Sequence, residues 1–144
     1  MPRPATYDDV NLVLRLYELR REDKMRAARE WFGNEFKAKT FEEAAQLAPQ
    51  GSQNSAYLRM VTSYWDMVAS FIVSGVLLED LFFESGYELA ICWEKVRDIV
   101  PAIREKFNNP IYMKNLEEAA RRYEGHLDKQ SPGLYAKMAA SVRG

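Results

Sequence analysis

The stretch from Tyr57 to Phe107 decides the fold, and it opens with YLRMVTSYWDMVASFIVSG over residues 57–75. Apolar side chains recur there every three or four residues and cover most of the helix circumference, which is typical of a helix packed by several neighbours. Gly75 follows the last apolar residue and predicts the end of that helix. Sustained alternation of apolar and polar residues, the pattern of strands, does not occur in the sequence. The sequence therefore predicts an all-α fold.

Capping residues divide the rest of the chain into helices. Thr6 with Asp9, and Thr40 with Glu43, have the spacing of a capping box, in which a hydroxyl and an acid satisfy free amides at a helix start. Pro101 lies inside a helical apolar pattern, where we expect a kink. Three further helix starts are indicated by comparable signals: Ser85 with Glu88, Asn109 before Pro110, and Ser131 before Pro132.

We expect one compact domain over residues 1–144, a bundle of six or seven helices joined by short loops. Residues 1–49 would form an N-terminal helical pair and a short helix, packed on a main bundle of residues 55–144. Neither part alone could bury its apolar face, so no domain boundary is placed between them. A chain of 144 residues is also close to the usual length of a single domain.

The cysteine content and the hydropathy pattern indicate a compartment. The chain has one cysteine, Cys92, which cannot form an internal disulfide and so favours a reducing environment. The longest nearly uncharged apolar stretch, residues 67–78, is too short for a membrane span, which needs about 20 residues. No secretion signal is visible at the N-terminus. We therefore predict a cytoplasmic protein that does not contact a membrane.

The charge pattern argues against nucleic acid as a partner. The net charge is −1, whereas a protein that binds duplex DNA usually concentrates positive charge strongly. Basic residues near the N-terminus are interleaved with acids, which is typical of a solvated helix with i,i+4 ion pairs. The basic residues considered for a nucleic-acid contact are Arg15, Arg20, Arg21, Lys24, Arg26 and Arg29.

Residue types that carry catalysis or bind metals are scarce. One histidine, His126, and one cysteine cannot supply a zinc site, and His126 is better placed to interact with a helix C-terminus than to act as a base. The seven glycines are scattered, so there is no phosphate-binding loop. We predict no catalytic residues, no metal and no cofactor. A cluster of acids is interpreted as a solvated turn: Glu79, Asp80, Glu84 and Glu88.

Aromatic residues make up 12% of the chain and include adjacent pairs. Neighbours on a helix point about 100° apart, so both are buried only where two other elements cover the helix. An uncovered aromatic residue marks a partner surface. The first hypothesis is therefore a protein–protein interaction module without catalysis, most simply a homodimer, with another protein as the alternative partner. The candidate interface residues are Tyr17, Trp31, Phe82 and Phe83.

The second hypothesis is a small-molecule-binding or enzymatic domain, with its pocket between the helices that begin near Tyr57 and Tyr87. Asp66 is the acid nearest the middle of the most apolar helix, and an acid would have to do the chemistry because histidine is nearly missing. A buried Asp66 in a cavity would favour this hypothesis. Glu94, beside Lys95, is interpreted as a surface ion-pair partner. The candidate ligand-binding residues are Tyr64, Trp65, Asp66 and Trp93.

The order of several segments resembles a bacterial all-helical family of unknown function. The resemblance covers about residues 10–123 and implies a bacterial, cytoplasmic, helical protein. No activity or catalytic residue is assigned to that family, so none is transferred to this chain. The segments that carry the resemblance are RAAREWF at 26–32, Tyr57 to Trp65, IVSGVL at 72–77, YELAICW at 87–93, and PIY at 110–112 with LE at 116–117.

Overall fold

The computed structural model describes residues 3–144, which fold into nine helices and contain no strand. The all-α prediction is confirmed, whereas the predicted number of six or seven helices is wrong. The helices are α1 Tyr7–Arg20, α2 Asp23–Asn34, α3 Phe41–Leu47, α4 Gln53–Val73, α5 Glu79–Phe83, α6 Tyr87–Val96, α7 Val100–Lys106, α8 Lys114–Gln130 and α9 Leu134–Arg143. An unexpected break, which divides the helix expected around Pro101 into α6 and α7, adds to the number.

The unexpected break lies where the sequence predicted a kink at Pro101. Helix α6 ends at Val96 and α7 begins at Val100, so Pro101 occupies the first turn of a new helix. A proline there loses no hydrogen bond, because the first amides of a helix have no partner within it. Ile99 and Val100 are still buried, so the apolar pattern is continuous although the helix is not.

The first two predicted caps are present. Thr6 Oγ1 accepts from the backbone N–H of Asp9, and the Asp9 carboxylate accepts in return from the backbone N–H of Thr6. Thr40 caps α3 by accepting from the N–H of Glu43 at 3.1 Å. Asp9 also accepts two hydrogen bonds from Arg3, and the Arg3 guanidinium holds the pKa of that carboxyl well below its usual range.

The predicted starts of the later helices are displaced. Helix α6 begins after Gly86 and has no side-chain cap, so the capping box at Ser85 is wrong. Helix α8 begins at Lys114 rather than at Pro110, since Pro110 lies in a turn that precedes it. Helix α9 begins after Gly133 rather than at Pro132. A turn that starts at Ser131 precedes the helix, and it ends at Gly133, which has a positive φ.

Helix α4 is the centre of the bundle. It packs mainly against α8 on one side and α2 on another, and it also contacts α6. This explains why its apolar residues cover most of its circumference: Val61, Trp65, Val68, Ala69 and Ile72 are all buried. The hydrophobic core is continuous from residues 3–49 into the later helices, because Trp31 and Phe36 belong to the same cluster as α4.

Helix α1 is attached to the bundle over a small part of its surface. Only Asp9 and Leu16 of its fourteen residues are buried. Its N-terminus is held by Asp9, which accepts from the backbone N–H of Leu78 at 3.0 Å, at the start of α5. None of the helices in residues 3–144 combines the length and hydropathy that a bilayer span requires.

Candidate functional site

A groove of about 330 Å³ runs between α1, α4 and the turn that joins α5 to α6. A volume of this size lies at the lower end of the range found for small-molecule sites. One wall comes from α1, the floor from α4, and the opposite wall from the α5–α6 turn. The lining residues are Val13, Leu14, Leu16, Tyr17, Arg20, Tyr64, Trp65, Phe82, Ser85 and Gly86.

Tyr64 fixes the distance between α1 and α4 at this groove. Its hydroxyl donates to the backbone carbonyl of Leu16 at 2.5 Å, and its ring packs edge-to-face on Trp65 with ring centroids 4.9 Å apart. Burial raises the pKa of Tyr64 to about 12, so the hydroxyl stays protonated and able to donate near neutral pH. The aromatic side chain therefore acts as a spacer between the two helices.

Gly86 lies in the turn between α5 and α6, which forms the wall of the groove opposite α1. A Cβ built on Gly86 would lie 2.2 Å from the ring of Phe82, which is far inside contact distance. The backbone of Gly86 has φ −102°, which any residue can adopt, so the requirement for glycine is a matter of space alone. Phe82 is 5% exposed and has little room to move except into the groove.

We expect Gly86→Ala to lower the free energy of unfolding by about 1–3 kcal/mol, the usual cost of overpacking. The matched control is Gly125→Ala, at an exposed position inside α8 where an added Cβ meets nothing within 4 Å. Alanine favours a helix interior over glycine, so the control should gain up to about 1 kcal/mol. Urea unfolding followed by circular dichroism measures both. Equal effects of the two substitutions would show that Phe82 does not confine Gly86.

An ion-pair cluster lies at the Arg20 end of the groove. Glu88 accepts hydrogen bonds from Arg20 Nη1 at 2.7 Å and from Arg29 Nε at 2.7 Å, although both arginines lie far from Glu88 in the sequence. All three side chains are partly buried. Two guanidinium groups thus share one carboxylate, so the cluster carries an excess positive charge. The Arg20 guanidinium also lies 5.2 Å from the centroid of the Tyr17 ring and 5.5 Å from that of Trp65.

Trp65 contributes an unusual polar atom to this region. Trp65 is 2% exposed, and its indole Nε1 is buried without a hydrogen-bond partner. Among the buried side-chain nitrogen and oxygen atoms of residues 3–144, it is the one that lacks a partner. An unsatisfied buried donor costs about 1–3 kcal/mol. The atom is inaccessible, so the unpaired N–H is a cost to the folded chain and not a contact for a molecule in the groove.

The surface of α1 carries a stripe of exposed apolar residues. Tyr7, Val10, Leu14 and Tyr17 are 87, 40, 53 and 48% exposed, and their spacing places them on one side of the helix. We call these four residues the α1 outer face. Leu14 and Tyr17 also line the groove, so the outer face and the groove form one continuous apolar surface.

The structure brings two of the four predicted ligand-binding residues together. Tyr64 and Trp65 line the groove, but Asp66 and Trp93 do not. Asp66 is partly buried and accepts from the backbone N–H of Leu116 at 3.0 Å. It supplies, from α4, the cap that α8 lacks at its own N-terminus, where a negative charge is favourable. Trp93 belongs to the hydrophobic core.

The four predicted interface residues also separate. Tyr17 is on the α1 outer face, whereas Trp31, Phe82 and Phe83 are at most 6% exposed in the chain. Trp31 packs on Phe36 with ring centroids 5.6 Å apart, and Phe83 packs on Tyr123 at 5.3 Å. Phe82 reaches the surface only as part of the groove wall.

Sequence reasoning missed the role of Arg20 and Glu88. Arg20 was grouped with a solvated basic face, and Glu88 with a capping box and an acidic turn. A signal was present, because Arg20 lies four residues after Leu16 and seven after Val13, on the same side of α1 as those groove residues. A charge on an apolar helix face needs a partner, and nothing in the sequence identified Glu88 as that partner.

Glu94 is a second polar group that the sequence placed wrongly. It was expected at the surface, but it is 2% exposed, and its side chain extends from α6 to Tyr135 of α9. Its carboxylate accepts from the hydroxyl of Tyr135 at 2.6 Å and from Arg97 at 3.1 Å, and Arg143 lies 3.6 Å away. These contacts hold α9 to the bundle. In residues 3–144, no group of three or more metal-ligating side chains is arranged to hold an ion.

The fold and the groove define a small all-helical domain with one aromatic-floored groove beside a loosely attached first helix. The chain belongs to the family described as a domain of unknown function, DUF4760, whose model matches residues 5–123. The resemblance to an uncharacterised helical family is thereby confirmed. Helix α9 lies after the matched range. No curated protein and no solved structure matches the chain.

Proposed function

We propose that the protein is a non-catalytic interaction module that self-associates through the α1 outer face. The observation that carries this proposal is the exposure of Tyr7, Val10, Leu14 and Tyr17 on a helix that the bundle covers only on its other side. Tyrosine and large apolar residues are characteristic of the buried centre of protein interfaces.

The spacing of the outer face favours another helix as the partner element. The four residues alternate three and four positions apart, which is the seam of helices that pack side by side. A second copy of the chain presents the same seam, and two-fold symmetry is the commonest way for identical surfaces to pair. An antiparallel pair would place Tyr7 of each copy opposite Tyr17 of the other, and Val10 opposite Leu14.

The charges at the ends of α1 are compatible with this pairing. Asp8 lies in its first turn and Arg21 directly follows its last turn. An antiparallel arrangement brings the acidic end of one helix beside the basic end of the other, and it also opposes the two helix dipoles. Leu14 lies near the middle of the seam, so a charge introduced there should be the most disruptive.

We expect the wild-type protein to be a dimer, and Leu14→Glu to shift it toward the monomer with at least a tenfold higher dissociation constant. A buried, unpaired carboxylate at the seam causes the loss. Sedimentation velocity over a dilution series measures the equilibrium. The matched control is Ile111→Glu, at a position that is 62% exposed in a turn far from α1 in sequence. A wild-type monomer, or a Leu14→Glu dimer as tight as the control, would contradict the proposal.

A second candidate function, small-molecule binding, is supported by the groove. Tyr64 and Trp65 form its floor, and its volume fits a small ligand. The pocket that supports this function differs from the predicted one, because Asp66 and Trp93 lie outside it. No acid among residues 3–144 lines the groove, so binding is better supported there than catalysis by a carboxylate.

A further inference from the structure

We infer that the groove binds a small monocarboxylic acid with an apolar body, whose carboxylate accepts hydrogen bonds from the Arg20 guanidinium. The inference rests on the second proposed function, small-molecule binding, and adds the chemical class of the ligand. It is carried by the charge, the donor set and the shape of the groove.

The charge at the Arg20 end favours an anion. Arg20 and Arg29 both pair with Glu88, and within residues 3–144 neither arginine forms an ion pair with another acid. One carboxylate cannot balance two guanidinium groups. The cluster is partly buried, so its excess positive charge is less screened than a surface charge would be.

The donors at this end favour an acceptor that has no hydrogen to donate. A guanidinium has five N–H donors and no acceptor, and Arg20 binds Glu88 through Nη1. A carboxylate offers two acceptor oxygens, and it is the group that a planar guanidinium binds best.

The remaining walls favour an apolar body of limited size. Val13, Leu14, Leu16 and Phe82 give the groove an apolar surface, and its volume of about 330 Å³ suits a short chain or a single ring. The Arg20 guanidinium already lies over the faces of Tyr17 and Trp65, so its position is fixed before a ligand arrives. Preorganised groups of this kind cost little to order on binding.

The experiment uses the full chain labelled with ¹⁵N at its three tryptophans, which give three indole signals. Trp65→Phe assigns the Trp65 signal. Octanoate serves as the probe, and octanol, which has the same chain length but no charge, serves as its matched control. We expect octanoate to move the Trp65 indole signal saturably, and octanol to bind at least tenfold more weakly.

Variants then test the charge. Arg20→Gln should weaken octanoate binding at least tenfold. Arg15 is an exposed arginine of the same helix that lies outside the groove, so Arg15→Gln should leave the affinity for octanoate unchanged. Unmoved signals of Trp31 and Trp93 show that the Arg20 variant is folded. Octanol that binds as tightly as octanoate would overturn the carboxylate inference while leaving small-molecule binding intact. If neither compound moves the Trp65 signal, both the inference and the second proposed function fail.

Discussion

Replacing Trp65 with alanine is expected to lower the free energy of unfolding by about 3–5 kcal/mol, the range for deleting a large buried aromatic side chain. Trp65 lies in the middle of the central helix α4, and it contacts the Tyr64 ring and the Arg20 guanidinium. Neighbouring helices are too constrained by their own packing to fill the space. The cavity would open into the groove, so relaxation of the walls would not recover much of the loss.

The conservative variant Trp65→Phe should cost much less. It removes part of the apolar contact, but it also removes an indole N–H that has no acceptor, and the second change is favourable by about 1–3 kcal/mol. The comparison is Trp93→Phe, since Trp93 is also buried but its N–H is not among the unsatisfied atoms. Urea unfolding at pH 7 gives all three free energies. A Trp65→Phe loss larger than that of Trp93→Phe would show that the orphaned donor is not a source of instability.

The helical class could be predicted because it depends on local pattern. The apolar repeat of α4, the stop near Gly75 and the caps at Thr6 and Thr40 are each determined by residues three or four positions apart. The same locality explains the mistake at Pro101. An apolar repeat reports which residues are buried, and it remains continuous across a break between two helices that bury the same face.

The groove could not be predicted because it depends on how helices are placed relative to one another. Glu88 lies 68 positions after Arg20, and local spacing assigned it to a capping box with Ser85. In the folded chain, the Glu88 carboxylate pairs with two guanidinium groups, which bind it more strongly than the single backbone amide of a capping box would. Asp66 is a comparable case, since its partner is the start of α8 rather than a ligand.

The adjacent aromatic pairs show what composition can and cannot decide. Two neighbours on a helix are both buried when helices cover two of its sides, which is the situation of Phe82 and Phe83. Tyr64 and Trp65 are covered by α1 and the core, yet both still reach the groove. The exposed aromatic residues of α1, Tyr7 and Tyr17, do not belong to adjacent pairs. Tyr7 and Tyr17 are exposed because α1 is weakly attached to the bundle, and the adjacent aromatic pairs give no information about that attachment.

Glu94 is the position where the second large effect is expected. Glu94→Ala should lower the free energy of unfolding by roughly 3 kcal/mol, because it leaves the buried hydroxyl of Tyr135 without an acceptor and two arginines without their shared carboxylate. The upper part of the range of about 3–5 kcal/mol for a completely buried pair is not expected. Arg97 and Arg143 are 47% and 36% exposed, so water can hydrate them once the acid is gone.

The partner of Glu94 can be tested by a double-mutant cycle with Tyr135→Phe. If the two side chains stabilise the chain through their hydrogen bond, the two single variants should together lose more unfolding free energy than the double variant loses. The difference should be at least about 0.5 kcal/mol. Glu94→Gln is the control that keeps the size and an acceptor for the tyrosine, so it should lose less than Glu94→Ala. Additive losses would mean that the hydrogen bond between Tyr135 and Glu94 does not stabilise the junction of α6 with α9. The carboxylate would then act through Arg97 and Arg143.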